Sequence, residues 1–242
     1  MPFLLFGYGS LISNPSMIGD PSICKVQNVH DGYIRGFRRC WHQGSTDHRG
    51  VPGAPGRTVT LTVDASSYVM GRAFKIDDEP EREKVAMAYL EHREKQYDQR
   101  LEVPFYAGPP PPPGCDDVDD EPLGTCLVFV GTPNENANVN YLGPPESMAS
   151  LARQIASARG PSGHNREYLY ALSGAMRSFM DGEFAHHDRR AHEIFQAADF
   201  HGQAEALKDD AYEELTSLFL LERLVKAYSE LDPEKVDYTS NM

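Results

Sequence analysis

The sequence lacks what would place it in a membrane, a disulfide scaffold or a nucleic-acid complex. No apolar run approaches the ~18 residues that a membrane-spanning helix needs. The opening run, Phe3-Leu4-Leu5-Phe6, stops at a glycine and has no basic segment before it, so it does not read as a secretory signal. The four cysteines, Cys24, Cys40, Cys115 and Cys126, form no Cys-x-x-Cys pair. Their spacing supports neither a zinc site nor a disulfide framework, and reduced structural thiols in a cytoplasmic protein are expected. Basic residues are scarce, 23 Lys and Arg against 36 Asp and Glu, for a formal net charge of −13. An acidic surface repels nucleic acid and anionic membrane as main partners, though it leaves room for a local basic pocket that takes a small acid. There is no internal repeat. A chain of 242 residues can bury a substantial core as one large domain or two small ones.

What is present begins with Phe3-Leu4-Leu5-Phe6-Gly7-Tyr8-Gly9-Ser10-Leu11-Ile12. The apolar run is too short for a helix and is broken by glycines, so it reads as a buried strand feeding a turn. Glycine lets a ligand approach the main chain, and successive amides in such a turn can hold an oxygen anion. On spacing alone, an ordinary strand and glycine turn accounts for it.

Ser13 to Asp20 reads as a polar turn, and Val26 to Phe37 as a strand carrying the first basic group, Arg35, Arg38 and Arg39. Beyond Trp41, the stretch from Gly44 to Arg57 is dense in turn formers and reads as a loop. Thr58–Val63 and Tyr68–Ile76 read as two further strands, and Arg100–Tyr106 and Thr125–Gly131 as two more. Strands at such short spacing suggest a barrel or curved sheet.

Between them, residues 80–95 switch to a helical period. Asp77, Asp78 and Glu79 precede Pro80, a good start signal. Ala86, Leu90 and Glu94 stack four apart, and Val85 and Tyr89 are expected to widen that apolar stripe. Glu94 then continues the buried side at the helix C-terminus, where desolvation and the helix dipole both disfavour an ionised carboxylate. A carboxyl so placed suits general acid–base work near neutral pH. The alternative is that Glu94 lies past the true helix end, or pairs with Arg93 or with a core arginine.

Residues 107–124, with five consecutive prolines from Pro109 to Pro113 and an acidic run from Asp116 to Glu121, read as a stiff, then acidic, surface insertion. Helices are expected over Glu146–Arg159, ended by Gly160-Pro161-Ser162-Gly163, and over Asn165–Met180. Residues 181–208, with His186, His187, His192 and His201, read as a charged surface insertion without metal-ligand spacing. A final amphipathic helix at about 210–231 carries Leu215, Leu218, Phe219, Leu221, Leu224 and Val225 to cover the core, and the last ten residues read as frayed.

Five blocks in order then form a pattern: Phe6-Gly7-Tyr8-Gly9-Ser10-Leu11; Arg38-Arg39, Trp41 and Gly44-Ser45-Thr46-Asp47-His48-Arg49-Gly50 with Pro55-Gly56-Arg57; Arg93-Glu94-Lys95; Tyr141-Leu142-Gly143-Pro144; and Gly160-Pro161-Ser162-Gly163-His164-Asn165. Over residues 3–180 this resembles the ChaC-type γ-glutamylcyclotransferases, which act on glutathione. Five separate blocks make the match specific where any one alone would be weak. The resemblance implies an α+β fold, a small mixed β-barrel flanked by helices, as a single domain over 1–242. It implies cleavage of the γ-glutamyl bond of glutathione, without water, to 5-oxoproline and cysteinylglycine, with no metal or organic cofactor. Its catalytic glutamate falls on Glu94. Its substrate loop falls on the turn of Gly7, Tyr8, Gly9, Ser10 and Leu11. Leu5 and Phe6, leading into it, are counted with the substrate-binding residues. Arg39 and Arg57 join them because a guanidinium matches a carboxylate, and Tyr141 reads as a pocket wall or equally as core packing. Which of Arg38, Arg39, Arg49 or Arg57 holds the distal carboxylate stays open.

The chain departs from that pattern before Gly44, where Cys40-Trp41-His42-Gln43 is one residue longer. It departs again after Glu94, where Lys95-Gln96-Tyr97 is a residue shorter and lacks a glycine, and in its two insertions. Two other readings stand beside this one: a cyclotransferase for other γ-glutamyl dipeptides or amines, and an idle member of the fold serving as a binding module.

Overall fold

The opening run does form a buried strand. The computed structural model describes residues 4–13, 26–76, 80–111, 121–134, 136–179, 185–197, 200–208 and 214–231. The turn read at Ser13–Asp20 (beyond Ser13), Cys24, Asp77 to Glu79, Pro112, Pro113, Cys115, the acidic run up to Asp120, the start of the last helix at Asp209 or Asp210, and the last ten residues lie outside them. Strand β1 (Leu4–Gly7) is buried at all four residues. A one-turn helix, α1 (Ser10–Ser13), follows and buries Leu11 and Ile12.

Strands β2 (Val26–Ser45), β3 (Gly56–Ile76), β4 (Gln99–Ala107) and β5 (Gly124–Val130) join β1 in a closed barrel ordered β1-β3-β2-β4-β5 among the described residues. The pairing is mixed. Leu4–Gly7 runs antiparallel to Arg72–Lys75, whereas Leu4 and Leu5 run parallel to Cys126 and Leu127 and so close the barrel. This is the α+β fold class with a mixed barrel that the sequence implies. Two strands are longer than expected. β2 continues through Trp41 and the buried Gln43 to Ser45, taking the first residues of the expected loop. The strands expected at 58–63 and 68–76 are one element, β3. Asp64 there accepts hydrogen bonds from the Ser66 amide and hydroxyl, a local pairing that satisfies these polar residues without ending the strand.

The chain divides into two compact units, Met1–Cys40 with Val59–Tyr141, and Trp41–Thr58 with Leu142–Met242. In the first, helix α2 (Pro80–Arg93) sets Ala86 and Leu90 into a cluster with Leu5, Leu11, Phe74, Ile76, Leu127 and Phe129. Its apolar stripe is narrower than expected, because Val85 and Tyr89 are 47% and 46% exposed. One residue per turn, at four-residue spacing, is enough to seat the helix on the barrel wall.

In the second unit, α3 (Met148–Ser157) opens with a reciprocal capping box between Ser147 and Ser150. A hairpin, β6 (Arg159–Gly160) and β7 (Gly163–His164), leads into α4 (Asn165–Ser178). Helix α7 (Glu214–Leu231) packs against α3, α4, α5 (Ala185–Gln196) and α6 (Phe200–Lys208), burying the Leu215, Leu218, Phe219, Leu221, Leu224 and Val225 stripe read from the sequence. Helices α5 and α6 occupy most of the stretch read as a polar surface insertion. Their buried residues, Ala191 with Ile194 and Ala204 with Leu207, are few and widely set among polar ones.

An ion-pair network ties three of these helices. Glu222 of α7 is 5% exposed and meets Arg177 Nη1 and Lys226 Nζ, each at 2.6 Å. Asp188 of α5 receives Arg177 at 3.1 Å and Arg223 at 3.0 Å. Burial works to raise the Glu222 carboxyl, but hydrogen bonds from Lys226 and Arg177 outweigh it and hold the group below the ordinary carboxylate range. Asp188 is depressed in the same way: burial opposes ionisation, and Arg177 and Arg223 overcome it.

Candidate active site

The first unit places the glycine turn and Glu94 side by side. β1 ends at Gly7, the chain bends at Tyr8 and Gly9, and the Ile12 amide donates to Gly9 O at 3.1 Å to start α1. Tyr8 is buried and its hydroxyl donates to Phe129 O at 2.6 Å, which pins the bend to β5. The turn is closely packed from below. A Cβ on Gly71 of β3 would lie 2.4 Å from the Phe6 ring and 2.6 Å from Gly7 O. Gly71→Ala is therefore expected to push β1 and the turn outward, costing about 1–3 kcal/mol and lowering the thermal midpoint by roughly 2–12 °C in a calorimetric scan.

Glu94 follows α2 directly. Its amide still donates to Leu90 O at 2.7 Å, as a further helical residue would, and its carbonyl accepts from the Tyr97 amide at 2.8 Å in the turn beyond. Tyr97 then anchors that turn by donating its hydroxyl to Val59 O at 2.9 Å. The Glu94 side chain is 14% exposed. Neighbours in sequence on a helix do not face each other. Here the helix has ended, and Arg93 turns its Nε to Glu94 Oε1 at 3.0 Å. The same guanidinium donates from Nη2 to Ser10 Oγ at 3.1 Å. Carboxylate, guanidinium and hydroxyl thus run in a row from the end of α2 to the glycine turn. The two readings of Glu94 meet in this geometry: the side chain is mostly buried, lies one residue past the helix, and pairs with Arg93.

The other expected site residues fall as follows. Leu5, Phe6 and Leu11 are buried parts of β1 and α1, and Gly9 and Ser10 are half-buried. Arg39 is buried in the first unit and donates to Met70 O. Tyr141 is half-buried, with its amide donating to Asn138 O at 3.2 Å. Arg57 belongs to the second unit, where its guanidinium donates to Trp41 O at 2.7 Å, Gly143 O at 2.5 Å and Gln154 Oε1 at 2.9 Å. Arg49 of that unit donates to His164 O at 3.1 Å and to Glu167 Oε2 at 3.0 Å. Sequence reading offers Arg93 as a possible partner for Glu94 but not as a residue of the site. Its signal, the Arg93-Glu94 dipeptide, stands in the sequence, but the link to Ser10 spans 83 positions and needs the fold.

Among the described residues, no three His, Cys, Asp or Glu side chains converge as metal ligands, and no helix is long and apolar enough to cross a membrane. Cys40 and Cys126 are buried; Cys40 Sγ donates to Thr60 O at 3.6 Å, and burial pushes the Cys126 thiol up to about 12, so it stays protonated and inert.

A family model described as ChaC-like protein matches residues 3–198. Gamma-glutamylcyclotransferase 2-3 of Arabidopsis thaliana is 42% identical over 177 residues, covering 73% of this chain and 80% of that protein. Glutathione-specific gamma-glutamylcyclotransferase 1 of Mus musculus is 40% identical, covering 72% and 69%. A solved structure of a yeast γ-glutamyl cyclotransferase specific to glutathione superposes with a TM-score of 0.64 at 25% identity, over 93% of this chain and 96% of that one.

Proposed function

We propose that this chain, which belongs to the ChaC-like family, is a cyclotransferase that cleaves the γ-glutamyl bond of glutathione to 5-oxoproline and cysteinylglycine. The observation that carries the reading is the mostly buried Glu94 carboxylate, joined through Arg93 to Ser10 of the glycine turn. Relatives whose names specify glutathione support the substrate.

The reaction needs two protons moved. The substrate α-amine is mostly protonated at neutral pH and cannot attack. Glu94 takes its proton, and the amine nitrogen then bonds to the γ-carbonyl carbon of the same glutamyl group. The attacking nitrogen is cationic once that bond forms and must lose a second proton to become the ring amide. As the carbonyl re-forms and the bond to the cysteinyl nitrogen breaks, Glu94 gives that nitrogen the first proton. It takes the second from the ring nitrogen and passes it on, so both ammonium protons end on the released cysteinyl amine. The two products together contain every atom of glutathione, and no water enters. Because attack is intramolecular, the site's main task is to hold the glutamyl chain folded. Amides of the Gly7–Leu11 turn supply donors for the developing oxyanion and for the substrate α-carboxylate. Leu5 and Phe6 back the turn from β1. Arg39 and Tyr141 are the further substrate contacts of this reading. The activity is assigned to 1–242 as one domain in the cytoplasm, with a small-molecule substrate rather than nucleic acid or membrane.

The test is direct. Incubation with glutathione is expected to yield 5-oxoproline and cysteinylglycine in equal amounts, with γ-glutamyl-alanine converted poorly. Product from the dipeptide alone would replace the substrate with another γ-glutamyl compound. No product from either would make the chain a binding module on this fold.

A further inference from the structure

We infer that Arg93 is a positioning residue, which holds the Glu94 carboxylate in register with the glycine turn by gripping Ser10; this rests on Glu94 being the proton carrier. The geometry is specific in three ways. The guanidinium uses Nε for Glu94 Oε1 and Nη2 for Ser10 Oγ, at 3.0 and 3.1 Å, so one rigid planar group spans both. The contact with Glu94 exists because α2 ends at Arg93, since consecutive helical residues diverge. Both side chains are largely shielded, 17% exposed for Arg93 and 14% for Glu94, which limits solvent screening of the pair.

A carboxylate on the turn that follows a helix has several rotamers open to it. The Glu94 backbone is fixed by its bonds to Leu90 and Tyr97, but these leave the side-chain torsions unset. Arg93 sets them. Ser10 in turn fixes Arg93, and Ser10 lies in the segment proposed to bind the glutamyl group. A shift of the turn is thereby transmitted to the carboxylate as one movement, and the base and the oxyanion donors keep their spacing. Lysine cannot replace this arrangement, because a single ammonium on a flexible stem presents no planar fork.

The test is a double-mutant cycle in the full-length protein, read as kcat and KM for glutathione with thermal midpoints recorded alongside. Arg93→Gln is expected to lower kcat by about 10–100-fold, with KM changed by less than about threefold, because misplacing a catalytic group costs on this scale while binding is spared. Arg93→Lys is expected to recover little of the loss. Ser10→Ala should lower kcat less, and the Ser10→Ala/Arg93→Gln pair should be no worse than Arg93→Gln alone, since both break one link. Full additivity of the two losses, or Arg93→Gln turnover within about twofold of the parent, would overturn the inference. Should Arg93→Gln not fold, the cycle of Ser10→Ala with Arg93→Lys decides by the same criterion. Loss of Glu94 function is read separately: if Glu94→Gln stays active, the proposed mechanism fails, whereas an inactive Glu94→Gln beside an unaffected Arg93→Gln rejects the positioning role alone.

Discussion

Glu94→Gln is expected to reduce 5-oxoproline formation from glutathione by a factor of about 10²–10⁴ while leaving the thermal midpoint nearly unchanged. The amide keeps the size of the side chain and can still accept a hydrogen bond from Arg93, so packing at the end of α2 is preserved. What it cannot do is take a proton from an ammonium group. KM should change little, because the proposed contacts of the α-carboxylate and γ-carbonyl with the turn do not involve Glu94. A discontinuous assay for 5-oxoproline over hours is sensitive enough to measure the residual rate. Activity within about tenfold of the parent would remove Glu94 from the proton path.

The second large effect lies in the other unit. Arg177→Met is expected to lower stability by about 2–3 kcal/mol, below the ~3–5 of a fully buried pair because Arg177 is a third exposed and Lys226 still meets Glu222. That corresponds to a thermal midpoint lower by roughly 4–12 °C. The substitution leaves Glu222 with one of its two cations in a site 5% exposed, and strips Asp188 of one of its two arginines. A pH titration of stability tests the same network. Glu222 and Asp188 both have depressed values in the folded state, so their contribution is present above their ordinary range near 4. It is lost as pH falls through their lowered folded values. The parent should therefore lose stability more steeply than Arg177→Met as pH falls below about 4. Parallel curves for the two proteins would mean that the network does not couple to folding.

Much of this fold is legible along the chain. β1, β4 and β5 are short apolar or alternating runs bounded by glycine or proline, and α3, α4 and α7 carry regular stripes with clear stop signals. What fails to read is length and partnership. Gly44 and Ser45 look like turn residues and sit at the end of a 20-residue strand, because a neighbouring strand supplies the hydrogen bonds that local preference does not. Val85 and Tyr89 have the right spacing to be core and face solvent, since periodicity gives a face but not its width. α5 and α6 bury too few residues among too many polar ones to announce themselves. In the site, the turn and Glu94 stand out because each is chemically odd for its place. Arg93 does not: an arginine beside a glutamate is ordinary, and only the fold brings Ser10 to it.

The parallel pairing of β1 with β5 also governs the order in which the molecule is made. Strand β1 has its closing partner in residues 124–130, and Tyr8 reaches a carbonyl 121 positions later. At a synthesis rate of about 5–20 residues per second, the nascent β1 waits several seconds for that partner. Its antiparallel neighbour, Arg72–Lys75, arrives earlier and can shelter it as a hairpin-like intermediate. The bond that ties Tyr8 to β5 forms once Phe129 is in place to accept its hydroxyl. The bend that carries Ser10 is therefore completed late, after residue 129 has joined the barrel.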